Sequence, residues 1–122
     1  MFTNTIKVTN TTYTGYISKN INSIPIASET HSCMIGSRMS ASNVNRNIYP
    51  IYPQYVKSVT LCVGWDQYGT AYINGSVSSS EHDDPMSGDK CGTRNLSYGT
   101  TSVYISSSGE TVDSCWYRFN YK

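Results

Sequence analysis

Hydrophobic and polar side chains alternate with a period of two along several stretches of the chain. In residues 59–65, one face is formed by Val59, Leu61, Val63 and Trp65. Because successive side chains of a β-strand point to opposite faces, this alternation predicts a half-buried strand. β-branched residues and tyrosine, which favour strands, dominate these stretches. The other alternating stretches are 5–9, 70–77, 101–106 and 116–121.

Residues that favour turns separate the alternating stretches. Asp66–Gly69 lies between two of them and is typical of a hairpin connection. The stretch 70–77 is expected to run as one strand, because its alternation continues without a break. The face of that strand would be formed by Ala71, Ile73, Gly75 and Val77.

Helix is weakly supported by the sequence. The best candidate, residues 34–46, contains Gly36 and several Ser and Asn, which are poor helix formers, so we expect at most one short helix. A chain of 122 residues is long enough for one domain only. The sequence therefore predicts an all-β fold in which residues 1–122 form a single compact domain. That domain is a β-sandwich or a small barrel of short antiparallel strands.

The composition excludes several classes of function. Charged residues make up 14% of the chain and the net charge is +1, so the polar character comes from neutral side chains. A chain this close to neutral is a poor binder of nucleic-acid phosphates, and we expect no nucleic-acid partner. No apolar run approaches the roughly 18 residues of a membrane-spanning helix. Eleven tyrosines and two tryptophans argue against a disordered chain.

Four cysteines stand at positions 33, 62, 91 and 115, and no two of them form a C-x-x-C pair. An even number of cysteines in a small chain rich in Ser, Thr and Asn predicts two disulfides and an oxidising compartment. Three connectivities are possible, and the alternative is four buried thiols. The cysteines therefore predict a secreted protein. Because the N-terminus has no basic segment followed by an apolar one, we expect that its signal peptide has been removed from this sequence.

Two segments carry candidate ligand contacts. The first, Tyr49–Tyr55, has three tyrosines and two prolines in seven residues. Proline stiffens the backbone, and tyrosine offers an apolar ring and a hydroxyl with few rotors to fix. The segment is either a rigid recognition loop or a connection whose rings cover the core. The second is the turn after Trp65, a residue we expect in the core. The predicted ligand-binding residues are Tyr49, Tyr52, Tyr55, Asp66, Gln67 and Tyr68.

An acidic segment is the candidate metal site. It contains Glu81, Asp83, Asp84 and Asp89. Calcium takes six to eight oxygen ligands and would neutralise such a cluster, although the spacing is not that of an EF-hand. The alternative is a solvated loop with Lys90 and Arg94 nearby, so calcium is a weak candidate and we expect no required cofactor. The histidines, His31 and His82, are expected on the surface.

Enzymatic activity is not predicted. The chain has neither a G-x-S-x-G elbow nor an H-E-x-x-H motif. The best enzymatic alternative is a small secreted hydrolase such as a ribonuclease, but neither histidine falls in a clear strand pattern.

The surface chemistry favours a secreted, non-catalytic binding protein. Tyr, Asn, Ser, Thr and Gly suit neutral hydroxylated ligands, so the first hypothesis is recognition of a glycan or glycoprotein, as in a lectin, an adhesin or a toxin's receptor-binding subunit. The second is a secreted protein-binding or membrane-acting protein: an inhibitor, an effector or a small pore-former. The third is a self-assembling structural subunit, because few charges protect the strand edges. Homo-oligomerisation is compatible with all three.

Overall fold

The computed structural model describes residues 26–82 and 89–122, and these form the predicted all-β fold. Two four-stranded antiparallel sheets pack face to face as a sandwich, and the only helical pieces in the described residues are two 3₁₀ turns. The predicted strand at 5–9 lies outside the described residues. The strands are β1 Ser28–Ser32, β2 Arg46–Ile48, β3 Val56–Trp65, β4 Gly69–Ile73, β5 Ser76–Glu81, β6 Lys90–Asn95, β7 Val103–Gly109 and β8 Val112–Tyr121.

The first sheet has the strand order β1-β8-β3-β6 and the second the order β2-β7-β4-β5. The two longest strands, β3 and β8, pair along their whole length, with Val59 opposite Phe119 and Leu61 opposite Tyr117. Because residues opposite each other in an antiparallel pair share a face, this register turns the apolar residues of both strands toward the second sheet. The resulting inner face covers one continuous core.

The core contains the predicted residues. Val59, Leu61, Val63 and Trp65 are fully buried, which confirms the period-two prediction for this strand. The Trp65 indole N–H donates to the Ser107 hydroxyl of the second sheet at 3.0 Å, so the one polar atom of the ring is satisfied inside the core.

The outer face of β3 is buried as well, which the alternation did not predict. Ser58 and Thr60 point away from the core, yet each is only 6% exposed. The Asn120 amide on β8 donates to the hydroxyls of both residues, at 2.9 and 3.3 Å. Thr60 also shares a 2.8 Å hydrogen bond with Thr93 of β6. Side chains from the two neighbouring strands therefore cover the polar face of the central strand.

Two connections differ from the sequence prediction. Asp66–Gly69 is not a hairpin, because β3 and β4 belong to different sheets. The stretch 70–77 is not one strand, because Asn74 and Gly75 form a two-residue turn between β4 and β5, with φ of 51° and 81°. Asn-Gly is the commonest pair for such a turn, since both positions need positive φ, and this signal outweighs continued alternation.

The segment 34–46 is not an α-helix. It contains one 3₁₀ turn, Ala41–Val44, whose Ala41 and Val44 side chains are buried, while Met39 forms an isolated bridge with Val112. The poor helix formers in the segment account for this irregular backbone. No helix in the described ranges is long and apolar enough to cross a membrane.

Two disulfides confirm the cysteine prediction and settle its open pairing. Cys33 is bonded to Cys115 and Cys62 to Cys91. The first joins the edge strand β1 to β8, and the second joins opposite residues of β3 and β6. Both lie in the half of the first sheet where β3 ends, because Val63, near the end of β3, is opposite Cys115.

The loops collect at two ends of the sandwich. The tyrosine end, where β3 begins, is formed by residues 49–55, 74–75 and 96–102. The charged end, where β3 finishes, is formed by residues 33–38, 66–68 and 109–111, together with Glu81, His82, Asp89 and Lys90.

Candidate functional site

The structure places the six predicted ligand contacts at opposite ends of β3. Tyr49, Tyr52 and Tyr55 lie at the tyrosine end, whereas Asp66, Gln67 and Tyr68 lie at the charged end. A strand of ten residues spans about 33 Å. One small ligand therefore cannot touch both sets, and the two form separate surfaces.

The tyrosine end presents large exposed side chains. Tyr49 is 64% exposed, Ile51 60% and Tyr98 61%. The two loops that carry them are joined by a 2.7 Å hydrogen bond from the Gly99 N–H to the Pro53 carbonyl. Tyr104, also exposed, lies at the same end beside the turn at Asn74, to which it is bonded through both of its backbone groups. The end is thus a surface with several tyrosine rings and hydroxyls available to a ligand.

Tyr52 and Tyr55 have a different environment from Tyr49. Both are half-buried and pack against the core. Tyr52 meets Tyr121 edge to face, with ring centroids 5.6 Å apart, and Pro53 to Tyr55 form a 3₁₀ turn. In this segment, Tyr52 and Tyr55 fix the backbone, and Tyr49 and Ile51 face the solvent.

A single buried carboxylate holds the segment 49–55 on the sandwich. Glu29, on edge strand β1, is 7% exposed. Its Oε1 accepts hydrogen bonds from the Ile51 N–H, at 3.0 Å, and from the Tyr121 hydroxyl. That hydroxyl in turn accepts a longer bond of 3.4 Å from the Tyr52 N–H. Two consecutive backbone N–H groups of the segment therefore depend on Glu29, one directly and one through Tyr121.

The electrostatics match these hydrogen bonds. Burial by itself would raise the pKa of Glu29, but hydrogen bonds from Tyr121, Ile51 and His31 together lower it below its ordinary value of 4.5. Burial raises the pKa of Tyr121 to about 12, and the hydrogen bond to Glu29 adds to the rise. At neutral pH the carboxylate is therefore ionised and the Tyr121 hydroxyl is protonated, as acceptor and donor must be.

His31 completes the group around Glu29. Its Nε2 lies 2.7 Å from Glu29 Oε2, and its ring lies 5.4 Å from that of Tyr117. Because an ionised carboxylate can only accept, Nε2 carries the hydrogen. Burial and then the Glu29 charge raise the pKa of Tyr117, while Arg46 acts in the opposite direction. Arg46 is held by the carbonyls of Cys33 and Asn43, at 3.3 and 2.7 Å.

The candidates at the charged end have charged or aromatic partners. Asp66 forms an ion pair with Arg38, which also contacts Asp113 at 3.0 Å. Tyr68 stacks on His82, with the ring centroids 5.9 Å apart and the planes 13° from parallel. Gln67 is exposed between them. Only Tyr68 presents a ring here that resembles the exposed tyrosines of the other end.

The residues proposed for calcium are divided among other contacts. Glu81 is buried and pairs with Lys90 at 3.1 Å, and Asp89 accepts hydrogen bonds from Ser114 and Trp116. Asp83 and Asp84 lie outside the described residues. Within residues 26–82 and 89–122, no three His, Cys, Asp or Glu side chains are grouped as metal ligands. The calcium hypothesis therefore gains no support from the residues that can be placed.

Sequence reasoning missed Glu29, Tyr121 and Tyr98. Glu29 and Tyr121 are 92 positions apart, and only the pairing of β1 with β8 brings them together. One signal was available: Glu29 is the only acidic residue before Asp66, in a stretch that is otherwise neutral or basic. Tyr98 lies beside Gly99 in the connection between β6 and β7, and the sequence pattern alone did not single it out.

Comparison of the chain with known proteins finds no similar protein or structure. No family model, no curated protein and no solved structure matches the chain. Its function has to be argued from the chemistry of the two ends.

Proposed function

We propose that the protein is a secreted, non-catalytic binding protein that recognises carbohydrate through its tyrosine end. One observation carries the proposal: Tyr49 and Tyr98 expose their rings on two loops joined by the bond from Gly99 to Pro53. A sugar ring presents C–H faces that stack on an aromatic ring and hydroxyls that exchange hydrogen bonds with phenol groups. Tyrosine supplies both at low entropic cost, because it has few rotors to fix.

The fixed backbone beneath the rings supports the same proposal. The segment 49–55 contains two prolines and a 3₁₀ turn, and Glu29 holds its Ile51 N–H. A surface that is ordered before binding loses less conformational entropy when the ligand arrives. Weak binding at a single sugar site also becomes useful when several sites act together, so a homo-oligomer would strengthen this function.

The test is an array of neutral glycans probed with the oxidised protein and three variants. Tyr49→Ala and Tyr98→Ala should each weaken binding about tenfold, which corresponds to ~1.4 kcal/mol. Tyr68→Ala is the matched control, because it removes an exposed tyrosine from the charged end. It should leave binding unchanged.

Two outcomes would contradict the proposal. Absence of selective binding to any glycan by the oxidised protein would remove carbohydrate recognition. Loss of binding in Tyr68→Ala, with Tyr49→Ala and Tyr98→Ala unaffected, would move the site to the charged end.

A parallel array with a chelator tests calcium, since only a metal-dependent site would lose binding.

A second candidate function is attachment to an apolar surface of a protein or membrane. It is favoured by the exposure of two aliphatic residues: Ile51, on segment 49–55, and Ile26, which precedes β1 at the same end of the sandwich. Tyrosine and isoleucine together suit a partially apolar interface better than a sugar alone would require. The test is sedimentation with phosphatidylcholine vesicles: Ile51→Ser should abolish vesicle binding, whereas under the carbohydrate proposal it should leave glycan binding nearly unchanged.

A further inference from the structure

The arrangement around Glu29 has a consequence beyond anchoring. The carboxylate has three donors, which come from three different elements: the Ile51 N–H from segment 49–55, the Tyr121 hydroxyl from β8 and His31 Nε2 from β1. An ionised carboxylate satisfies all three, since each oxygen accepts through two lone pairs. A protonated carboxyl carries a hydrogen on one of its oxygens. That oxygen then has an O–H group directed at an N–H or O–H group that was donating to it.

The geometry shows which contacts would be lost on protonation. If Oε1 takes the proton, it faces the Ile51 N–H and the Tyr121 hydroxyl, the two groups that fix the segment. If Oε2 takes it, the conflict is with His31, and the bonds at Oε1 lose the charge that strengthens them. In either case the attachment of the segment weakens, because charge-assisted hydrogen bonds are roughly twice as strong as neutral ones.

The surrounding groups do not provide a substitute for the charge. The titratable neighbours are His31 on the same strand, Tyr117 and Tyr121 on β8, and Arg46 on β2 beyond Tyr117. His31 can donate through Nε2 in both its neutral and its charged form, so the contact with Glu29 does not require either one. Glu29 carries the only negative charge in this group.

We propose that Glu29 is a positioning residue that makes the tyrosine end sensitive to acid: while ionised it holds segment 49–55 in place, and on protonation it releases the segment. The residue itself lies beneath the surface and does not touch the ligand. This inference rests on the proposed function only for its effect on binding, because the release of the segment is measurable without any ligand.

The chain provides a matched control in Glu81. Glu81 is also a buried glutamate, 3% exposed, and lies at the charged end. Its Oε1 contacts the Lys90 ammonium at 3.1 Å, and its Oε2 has no hydrogen-bond partner within the described ranges. Glu81→Gln therefore removes a buried carboxylate of similar exposure without touching the segment 49–55.

The first experiment follows the backbone amide proton of Ile51 by NMR from pH 7 to pH 3, with the whole oxidised protein and no ligand. In the wild type this resonance should move with a single midpoint below 4.5, and the protection of the Ile51 and Tyr52 amides, measured against the intrinsic exchange rate at each pH, should fall in acid. In Glu29→Gln the resonance should be flat. Gln has the shape and the neutrality of the protonated carboxyl and cannot titrate. It should therefore hold segment 49–55 at pH 7 about as weakly as the wild type holds it at pH 3.

Two further variants assign the effect to Glu29. Glu81→Gln should behave as the wild type does. His31→Ala should keep the titration and raise its midpoint, because one of the hydrogen bonds that lowers the pKa of Glu29 is lost. A flat Ile51 resonance in the wild type, or an unchanged titration in Glu29→Gln, would overturn the proposal.

The second experiment repeats the neutral-glycan array at pH 7 and pH 3. Binding by the wild type should weaken about tenfold or more, and binding by Glu29→Gln by less than about threefold. If nothing binds at pH 7, the proposed function fails while the NMR result still decides the inference. If the wild type and Glu29→Gln lose binding equally in acid, Glu29 does not position the site.

Discussion

The two ends of the sandwich are held together by different forces. At the charged end both disulfides lie close by, and three of the four ion pairs among the described residues involve its Asp66, Asp113 and Glu81. At the tyrosine end no covalent link is present in the described residues. Its main segment depends on backbone hydrogen bonds and on one buried carboxylate, Glu29.

Because of this difference, the contacts that stabilise the fold and the surface proposed to bind a ligand lie at opposite ends of the sandwich. A disulfide limits the unfolded chain and is insensitive to moderate acid, whereas a hydrogen bond to a carboxylate weakens when the carboxylate is protonated. Tyr49, Tyr98 and Tyr104 expose their rings at the end without a disulfide, whereas the charged end exposes Tyr68. The charged end can therefore hold the fold together while the tyrosine end, the proposed binding surface, responds to its surroundings, because local stability need not be uniform across a domain.

The largest expected effect is the removal of the disulfide between Cys33 and Cys115. The bond spans 82 positions, so the double variant Cys33→Ala with Cys115→Ala should lower the free energy of unfolding by about 4.5 kcal/mol. Urea unfolding at pH 7 measures the loss. The tyrosine end should be unaffected below the transition, with the Ile51 amide still protected from exchange.

The other disulfide serves as the control. Cys62 and Cys91 are 29 positions apart, so their replacement by alanine should cost less, about 3.6 kcal/mol. An equal loss of Ile51 protection in both double variants, before global unfolding, would show that the two ends are not independent.

A moderate effect is expected at high pH, and it concerns the tyrosine end. The pKa of Tyr121 is raised to about 12 from an ordinary value of 10.0, chiefly by burial and also by Glu29. A raised pKa means that the contribution is complete below pH 10 and is lost as the pH rises toward 12. Between pH 8 and pH 11 the wild type should lose about 1.4 kcal/mol through this residue.

The comparison variant is Tyr121→Phe, which keeps the ring against Tyr52 but has no hydroxyl. It should be less stable at pH 8 and lose less on going to pH 11, as measured by urea unfolding at each pH. A wild type and a variant with parallel pH profiles would mean that the Tyr121 hydroxyl does not couple folding to pH.

The sequence predicts the fold more completely than it predicts the candidate site. The fold was predictable because alternation in residues such as Val59 and Leu61 is local and reports directly which face is buried. The Asn74-Gly75 turn is equally clear in the sequence, but the alternation around it continues without a break and hides the end of the strand. The covered polar face at Thr60 was not predictable, because it depends on the neighbouring strands.

The site was only partly predictable for the same reason. The exposed rings of Tyr49 and Tyr68 follow from their positions in connections. The separation of the two predicted contact sets follows once the strand between them is recognised as ten residues long. The anchoring of segment 49–55 by Glu29 and Tyr121 is non-local, and no pattern within either segment specifies it.

The smallest expected effect is the loss of the ion pair that most visibly marks the charged end. The side chains of Arg38 and Asp66 are 57% and 41% exposed, so water already screens their attraction. Asp66→Asn should lower the free energy of unfolding by no more than about 0.5 kcal/mol at low salt, and the loss should shrink further in 1 M NaCl. A double-mutant cycle with Arg38→Gln isolates the pair, and Asp113→Asn controls for the second carboxylate on Arg38. A coupling well above 1 kcal/mol would make the ion pairs a main source of strength at this end. A small coupling would mean that the disulfides are the main source of stability at the charged end. The two ends would then differ because one is held by covalent bonds and the other by hydrogen bonds.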